Sequence, residues 1–291
     1  MAAVKVRATR ALPGPAWDEL TDVEIAPADS PGPDVDVLVV VNEPVDLDLY
    51  PRLALIADYS VGYDRIGVDA AAARGVAVSN TPGVLDAATA DLAMALILAA
   101  RRRVVAGDRL IRSGGWGVSW AEVQLEAREV TGATLGIVGL GRIGSAVARR
   151  ARAFDMEIVS ATSREGDLDE LMRISDVVSV HVPLSAETTG LISRKRLALL
   201  KDGATFVNTS RGAIVDEQAL VDELVSGRIT AGLDVFAHEP KVPDALLGLD
   251  NVVLTPHIAS GTAETRAAMT RAVVDNVLAF VRGEPLPNPV V

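Results

Sequence analysis

Three charged side chains follow closely on predicted strands in the second half of the chain. Arg211 comes after a strand that ends at Asn208, and Glu239 and His257 come after the next two strands. An arginine can hold a carboxylate in a bidentate pair and polarise an adjacent carbonyl. A histidine can deliver a proton at neutral pH, and a glutamate beside it orients the ring and favours its protonated form.

These side chains supply two of the three functions that reduction of a 2-oxo acid requires, a carboxylate clamp and a proton donor; the third is a hydride donor. Each also has an ordinary structural explanation. Arg211 could form a surface ion pair, Glu239 could be a loop carboxylate, and His257 could cap a helix. Their joint position downstream of a dinucleotide-binding motif favours the catalytic interpretation.

The other two histidines carry less information. His181 ends a predicted strand, where it either lines a cofactor cleft or is simply buried and hydrogen-bonded. His238 is expected to be exposed. Because the three histidines do not have the spacing of metal ligands, we expect no metal site.

A glycine motif provides the expected hydride donor. The apolar run Leu135–Val138 predicts a buried strand, and Gly139, Gly141 and Gly144 follow in the spacing G-x-G-x-x-G, before the helix formers of residues 145–154. In the dinucleotide-binding turn the first glycine permits a tight turn, the second admits a pyrophosphate, and the third lets helix and strand pack closely. The motif alone also occurs in turns that bind nothing, but the strand and helix around it favour a bound dinucleotide.

The remaining pattern positions these residues. Strands alternate with helices along most of the chain, which predicts an α/β fold of doubly wound parallel sheets with ligands at the carboxyl ends of the strands. Residues 1–81 form a small α/β unit. A long alanine-rich helical stretch over 84–113 is either a core helix or a subunit interface, and the glycine motif opens a second α/β unit.

The end of the second strand of that unit indicates which cofactor is used. An NAD-dependent protein usually has an acidic residue about 20 residues beyond the glycines, whereas Thr162 occupies that position here. Ser163 and Arg164 follow and can donate to a 2′-phosphate. Alternatively, Arg164 is a solvated loop residue paired with Glu165. We expect NADP(H) to be preferred and NAD(H) to be possible.

Composition excludes several classes of protein. The 291-residue chain has a formal net charge of −11, which disfavours nucleic acids and anionic membranes as partners. It contains no cysteine, which rules out disulfides and a cysteine nucleophile. The first residues lack the apolar core of a signal peptide, and the longest apolar run, 92–100, is too short to cross a bilayer. We expect a cytoplasmic protein.

The sequence resembles the D-isomer-specific 2-hydroxyacid dehydrogenases over essentially its whole length. The matching segments are Ser60–Asp64, Gly139–Gly144, His181–Leu184, Asn208–Asp216, Gly232–Phe236 and Thr255–Ile258. The resemblance implies catalytic roles for Arg211, Glu239 and His257. It also implies that the backbone amides of Val61 and Gly62 help to bind the substrate carboxylate.

The resemblance implies a cofactor site and an architecture as well. Besides the three glycines, it places around the cofactor Arg142, Ile143, Val182, Pro183, Thr188, Thr209, Ser210, Arg211, Asp234, His257 and Ser260. Asp234 is expected at the nicotinamide carboxamide. A Rossmann domain over 82–262 is expected to be inserted into a smaller flavodoxin-like substrate domain made of 1–81 and 263–291. A homodimer formed through the long helical region is expected.

Within that family, the segment His257–Arg266 is most similar to glyoxylate and hydroxypyruvate reductases, and phosphoglycerate dehydrogenases usually carry an arginine in place of Asn42. The segment 164–176 is shorter than usual, so we expect one strand or loop of the cofactor domain to be reduced. Alternatives on the same scaffold are a formate- or phosphite-type dehydrogenase, a phosphoglycerate dehydrogenase and a nucleotide-sensing protein like the related co-repressors. Oxidation of added cofactor by a 2-oxo acid would identify a reductase.

Overall fold

The computed structural model describes residues 4–120, 125–162 and 166–291. Two compact units are present. One consists of Met1–Leu85 and Ser260–Val291, and the other of Asp86–Ala259. The divisions fall a few residues from the predicted ones at 81 and 262, so Ser260 belongs to the first unit.

The strands are β1 Val6–Ala8, β2 Glu24–Ile25, β3 Val37–Val40, β4 Leu55–Asp58, β5 Ala77–Ser79, β6 Thr134–Val138, β7 Glu157–Ala161, β8 Val177–Val180, β9 Thr205–Asn208, β10 Thr230–Leu233 and β11 Val252–Leu254. The α-helices are α1 Val68–Ala73, α2 Asp86–Arg101, α3 Val104–Arg112, α4 Arg142–Arg152, α5 Leu168–Ile174, α6 Arg194–Leu197, α7 Glu217–Val225, α8 Asp244–Leu247 and α9 Ala263–Arg282. None of these helices is both long and apolar enough to cross a membrane. Sequence analysis did not identify β2 or α8.

The first unit contains a five-stranded sheet in the order β2-β1-β3-β4-β5, with every pair parallel. This is the flavodoxin-like order. The central strands β3 and β4 are buried along their whole length, which is why they appear in the sequence as continuous apolar runs.

The second unit contains a six-stranded parallel sheet in the order β11-β10-β9-β8-β6-β7. The strand order reverses at β6, between β7 and β8, which is the position where doubly wound sheets bind ligands. Within the described residues no strand lies beyond β7, whereas a Rossmann sheet has two strands on that side of its first strand. β7 ends at Ala161, and the next described element along the chain is α5, which begins at Leu168. The predicted fold class, two doubly wound parallel sheets, is confirmed.

The predicted long helix over 84–113 is wrong in one respect, because it is divided into α2 and α3. Arg103 has a φ of 54°, the left-handed conformation that ends a helix. Arg101, at the end of α2, is buried, and its guanidinium donates to the carbonyl oxygens of Glu129 (2.8 Å from Nε) and Asp176 (3.1 Å). The break therefore lies next to a set of tertiary hydrogen bonds, and the sequence has no glycine or proline there to indicate it.

We expect Arg101→Met to lower the free energy of unfolding by about 3 kcal/mol, because two carbonyl groups would lose the buried charged donor that they share. Arg102→Met is the matched control, because Arg102 is the exposed neighbour of Arg101. The measurement is denaturant unfolding of both variants and the native protein. Equal stability of the two variants would contradict this role for Arg101.

Candidate active site

Loops at the carboxyl ends of β6, β8, β9, β10 and β11 carry most of the predicted site residues. Because these five strands are parallel and adjacent in the sheet, their ends meet along one edge. The site of the second unit is therefore built from segments that are far apart in sequence.

The glycine motif has the geometry that its spacing predicts. Gly139 follows β6 with a φ of 98°, and a Cβ there would lie 2.8 Å from Val182 Cγ1. A Cβ at Gly144 would lie 2.1 Å from the carbonyl oxygen of Gly139. Gly141, the N-cap of α4, has no described atom within 4 Å of the position of a Cβ. The backbone is therefore open to a ligand at the N-terminus of this 11-residue helix, where phosphates bind.

Several other groups around this turn also fit a dinucleotide. Arg142, the first residue of α4, is exposed and lies 3.6 Å from Asp86 (Nε to Oδ2). Ile143 packs against the core. The hydroxyl oxygen of Thr209 is buried and has no hydrogen-bond partner among the described residues. A buried polar atom of this kind is uncommon and fits a site that a polar ligand completes.

The loops after β8 and β9 are held by their own side chains. Thr188 Oγ1 donates to the carbonyl oxygen of Pro183 (2.6 Å) and accepts from the amide of Ser185 (2.8 Å). Ser210 Oγ donates to the carbonyl oxygen of Val180 (2.9 Å). The first of these loops is therefore tied to itself, and the second is tied to the end of β8.

Of the three residues from which the cofactor preference was predicted, the structure describes only Thr162. Thr162 follows β7 directly. Ser163 and Arg164 lie outside the described residues, so the preference for NADP(H) stays a prediction.

His257 and Glu239 form a direct pair. His257 Nδ1 lies 2.7 Å from Glu239 Oε2, and Glu239 Oε1 accepts from the amide of Phe236 (3.0 Å). Burial opposes the charged carboxylate, but the hydrogen bonds from His257 and Phe236 and the positive charges of His257 and Arg211 outweigh it, so the pKa of Glu239 is below its ordinary value. Glu239 is therefore ionised at neutral pH and can stabilise a protonated imidazole, whose Nε2 is left to carry the exchangeable proton.

Asp234 fixes the turn that carries His257. Its fully buried carboxylate accepts from Thr255 Oγ1 (2.6 Å) and from the amides of Ile258 (2.8 Å) and Ala259 (2.9 Å). Within this turn His257 has a φ of 52°, which a non-glycine residue rarely adopts. Sequence analysis assigned Asp234 only to the cofactor, and its part in shaping this turn was missed.

The loop that carries Arg211 is held by Asn208, which was not identified as a site residue. Asn208 Oδ1 accepts from the amide of Ser210 (2.9 Å), and Nδ2 donates to the carbonyl oxygen of Arg211 (2.9 Å). The next residue, Gly212, packs so closely that a Cβ would lie 2.0 Å from the carbonyl carbon of Phe236. The Arg211 loop therefore rests on the backbone segment that leads to Glu239.

The other histidines do not join this pair. His181 Nε2 lies 2.8 Å from Ser179 Oγ, and burial lowers the pKa of His181 to about 4, so its ring is neutral at neutral pH. His238 is exposed. In the part of the chain that the structure describes, no group of three or more histidine or acidic side chains could hold a metal ion.

The remaining predicted residues belong to the first unit. Val61 and Gly62 lie in the loop after β4, where Asn80 Nδ2 donates to the carbonyl oxygen of Val61 (2.9 Å). The amide of Gly62 donates to Ser60 Oγ (3.1 Å). Ser260 begins the C-terminal part of this unit.

Comparison with known proteins agrees with this geometry. Residues 94–259, more than half of the chain, match the family model of the D-isomer specific 2-hydroxyacid dehydrogenase, NAD binding domain. A glyoxylate reductase of Korarchaeum cryptofilum is 48% identical over 273 residues, which cover 88% of this chain and 82% of that protein.

Two solved structures show the same fold. A Thermus thermophilus protein has a TM-score of 0.91 and 42% identity, over 99% of this chain and 100% of that one. An NADPH-dependent glyoxylate/hydroxypyruvate reductase of Sinorhizobium meliloti, in complex with NADP and malonate, has a TM-score of 0.89 and 34% identity, over 100% of this chain and 97% of that one. The chain therefore belongs to the D-isomer-specific 2-hydroxyacid dehydrogenases, enzymes that use a nicotinamide dinucleotide, and within them it is similar to the glyoxylate reductases.

Proposed function

We propose that this enzyme reduces a small 2-oxo acid of the glyoxylate or hydroxypyruvate type to the D-2-hydroxy acid. The observation that carries the proposal is the 2.7 Å contact between His257 and Glu239, at the sheet edge that also carries the glycine motif. A proton donor beside a nicotinamide site is what reduction of a carbonyl group requires. The names of the relatives support the same class of substrate.

In this proposal each side chain acts on one part of the substrate. Arg211 and the amides of Val61 and Gly62 hold the carboxylate, and the guanidinium polarises the adjacent carbonyl. The nicotinamide cofactor, when bound, supplies a hydride to the carbonyl carbon. His257 gives its proton to the carbonyl oxygen as negative charge develops there, and Glu239 stabilises the protonated ring before that transfer.

The cofactor would be held mainly by the second unit. Gly139, Gly141 and Gly144 would allow the pyrophosphate to approach the backbone at α4. The other groups proposed around it are Arg142, Ile143, Val182, Pro183, Thr188, Thr209, Ser210, Arg211, Asp234, His257 and Ser260. Among them, the buried hydroxyl of Thr209 and the open space over Gly141 support the assignment most directly.

The proposal is tested by mixing the purified enzyme with NADPH or NADH and a panel of 2-oxo acids that includes glyoxylate and hydroxypyruvate. We expect the absorbance of the reduced nicotinamide to fall fastest with the smallest 2-oxo acids. Formate and phosphite with the oxidised cofactors form the second arm. Turnover only in that arm, or binding of cofactor without any turnover, would contradict the proposal.

We expect His257→Gln to lower kcat by about 10²–10⁴, the usual range for loss of a general acid, with little change in cofactor affinity.

Glu239→Gln should lower the pH above which reduction fails, because the protonated imidazole loses its carboxylate partner. The measurements are kcat across a pH series and the cofactor Kd. Native turnover in His257→Gln would remove this residue from the mechanism.

We further propose that NADPH is preferred, because Thr162 provides no carboxylate to repel a 2′-phosphate, and Ser163 and Arg164 can donate to it. Thr162→Asp combined with Arg164→Ala should abolish the preference. The measurement is kcat/KM for both reduced cofactors in the native enzyme and the double variant. A native enzyme that favours NADH would contradict this assignment and leave the reductase proposal intact.

We also propose that the enzyme is a cytoplasmic homodimer. From the start of α3 to residue 120, five large apolar side chains are each more than half exposed: Val104, Ile111, Trp116, Val118 and Trp120. Exposed apolar groups concentrated in one segment are typical of an association surface. Sedimentation of the enzyme as a monomer, or its recovery outside the cytoplasmic fraction, would contradict the corresponding part of this proposal.

A further inference from the structure

Two consecutive backbone amides after β10 are held by two different carboxylates. The amide of Phe236 donates to Glu239 (3.0 Å), and the amide of Ala237 donates to Glu217 Oε1 (2.8 Å). Glu217 is the first residue of α7 and lies 20 positions earlier in the chain. Its side chain therefore ties α7 to the segment between Asp234 and Glu239.

The same segment is in contact with the Arg211 loop. A Cβ at Gly212 would lie 2.0 Å from the carbonyl carbon of Phe236 and 2.2 Å from the nitrogen of Ala237. The cavity that Gly212 and Glu217 line together has a volume of only about 10 Å³, roughly the space that one water molecule needs. Because Gly212 is in such close contact with the 236–237 peptide, a shift of that peptide would move the Arg211 loop as well as Glu239.

We propose that Glu217 is a positioning residue for the reaction, because it fixes the peptide on which both Glu239 and the Arg211 loop depend. The inference rests on the proposed function, which assigns the chemistry to Arg211, Glu239 and His257. Capping of α7 does not account for Glu217, since Asp216 is the N-cap and its Oδ1 accepts from the amide of Ala219 (3.0 Å).

The test compares three variants of the full-length enzyme with NADPH and glyoxylate. Glu217→Ala should lower kcat, per folded molecule, by about tenfold, the scale of one lost hydrogen bond at a critical position. Glu217→Gln should restore most of the rate, since its amide oxygen can accept from Ala237. Asp216→Ala is the matched control: it removes a carboxylate from the same helix end, so it should lower the thermal midpoint and leave kcat per folded molecule near the native value.

The folded fraction is measured by far-ultraviolet circular dichroism, which does not depend on the position of the Arg211 loop. If the native enzyme oxidises neither NADPH nor NADH with any of the 2-oxo acids, the proposed function fails and this inference fails with it. If the native enzyme is active and Glu217→Ala keeps its kcat, or Glu217→Gln is as slow as Glu217→Ala, only the inference is wrong. Should Glu217→Ala not fold, Glu217→Asp replaces it, because its shorter side chain cannot reach Ala237. Native kcat in that variant would overturn the inference.

Discussion

The active-site half of the second unit depends on one buried charge. The carboxylate of Asp234 has no access to solvent, and an ionised carboxylate is stable there only when it is surrounded by donors. Thr255 and the amides of Ile258 and Ala259 supply them, so the chain must wind around Asp234 after β11. That winding gives His257 its left-handed backbone and points its ring toward Glu239. An exposed pair of side chains is thus held by a buried carboxylate.

Close backbone packing provides the second constraint. At Gly144 and Gly212 a Cβ would lie about 2 Å from a carbonyl group of another loop or strand. Two segments that touch through their backbones cannot slide without losing contact or colliding. Hydrogen bonds from Asn208 hold the Arg211 loop on one side of such a contact, and Glu217 holds the partner peptide on the other. The charged side chains of the site therefore project from supports that have few alternative arrangements.

Sequence alone predicts the sheets and the ends of their strands well. Buried strands such as β3 appear in the sequence as apolar runs, and the residues just after parallel strands fall at one edge of their sheet. This is why Arg211, Glu239 and His257 could be expected at that edge from their positions and residue types. The 2.7 Å pair of His257 and Glu239, 18 residues apart, agrees with that expectation.

The features that the sequence does not predict depend on contacts between residues that are distant from each other along the chain. The break between α2 and α3 lies beside Arg101, which donates to the carbonyl oxygen of Asp176, 75 residues away, and no glycine or proline marks it. The hydrogen-bond partners of Asn208 and Glu217 likewise cannot be chosen from residue type, because many backbone groups would satisfy these side chains equally well. The charged residues of the candidate site can therefore be found from the sequence pattern, whereas the residues that hold their loops can be found only from the folded structure. Substitutions of these two kinds of residue should accordingly differ in effect. Loss of a charged site residue would remove a step of the proposed chemistry, and loss of a residue such as Asn208 or Glu217 would loosen the loop that positions it.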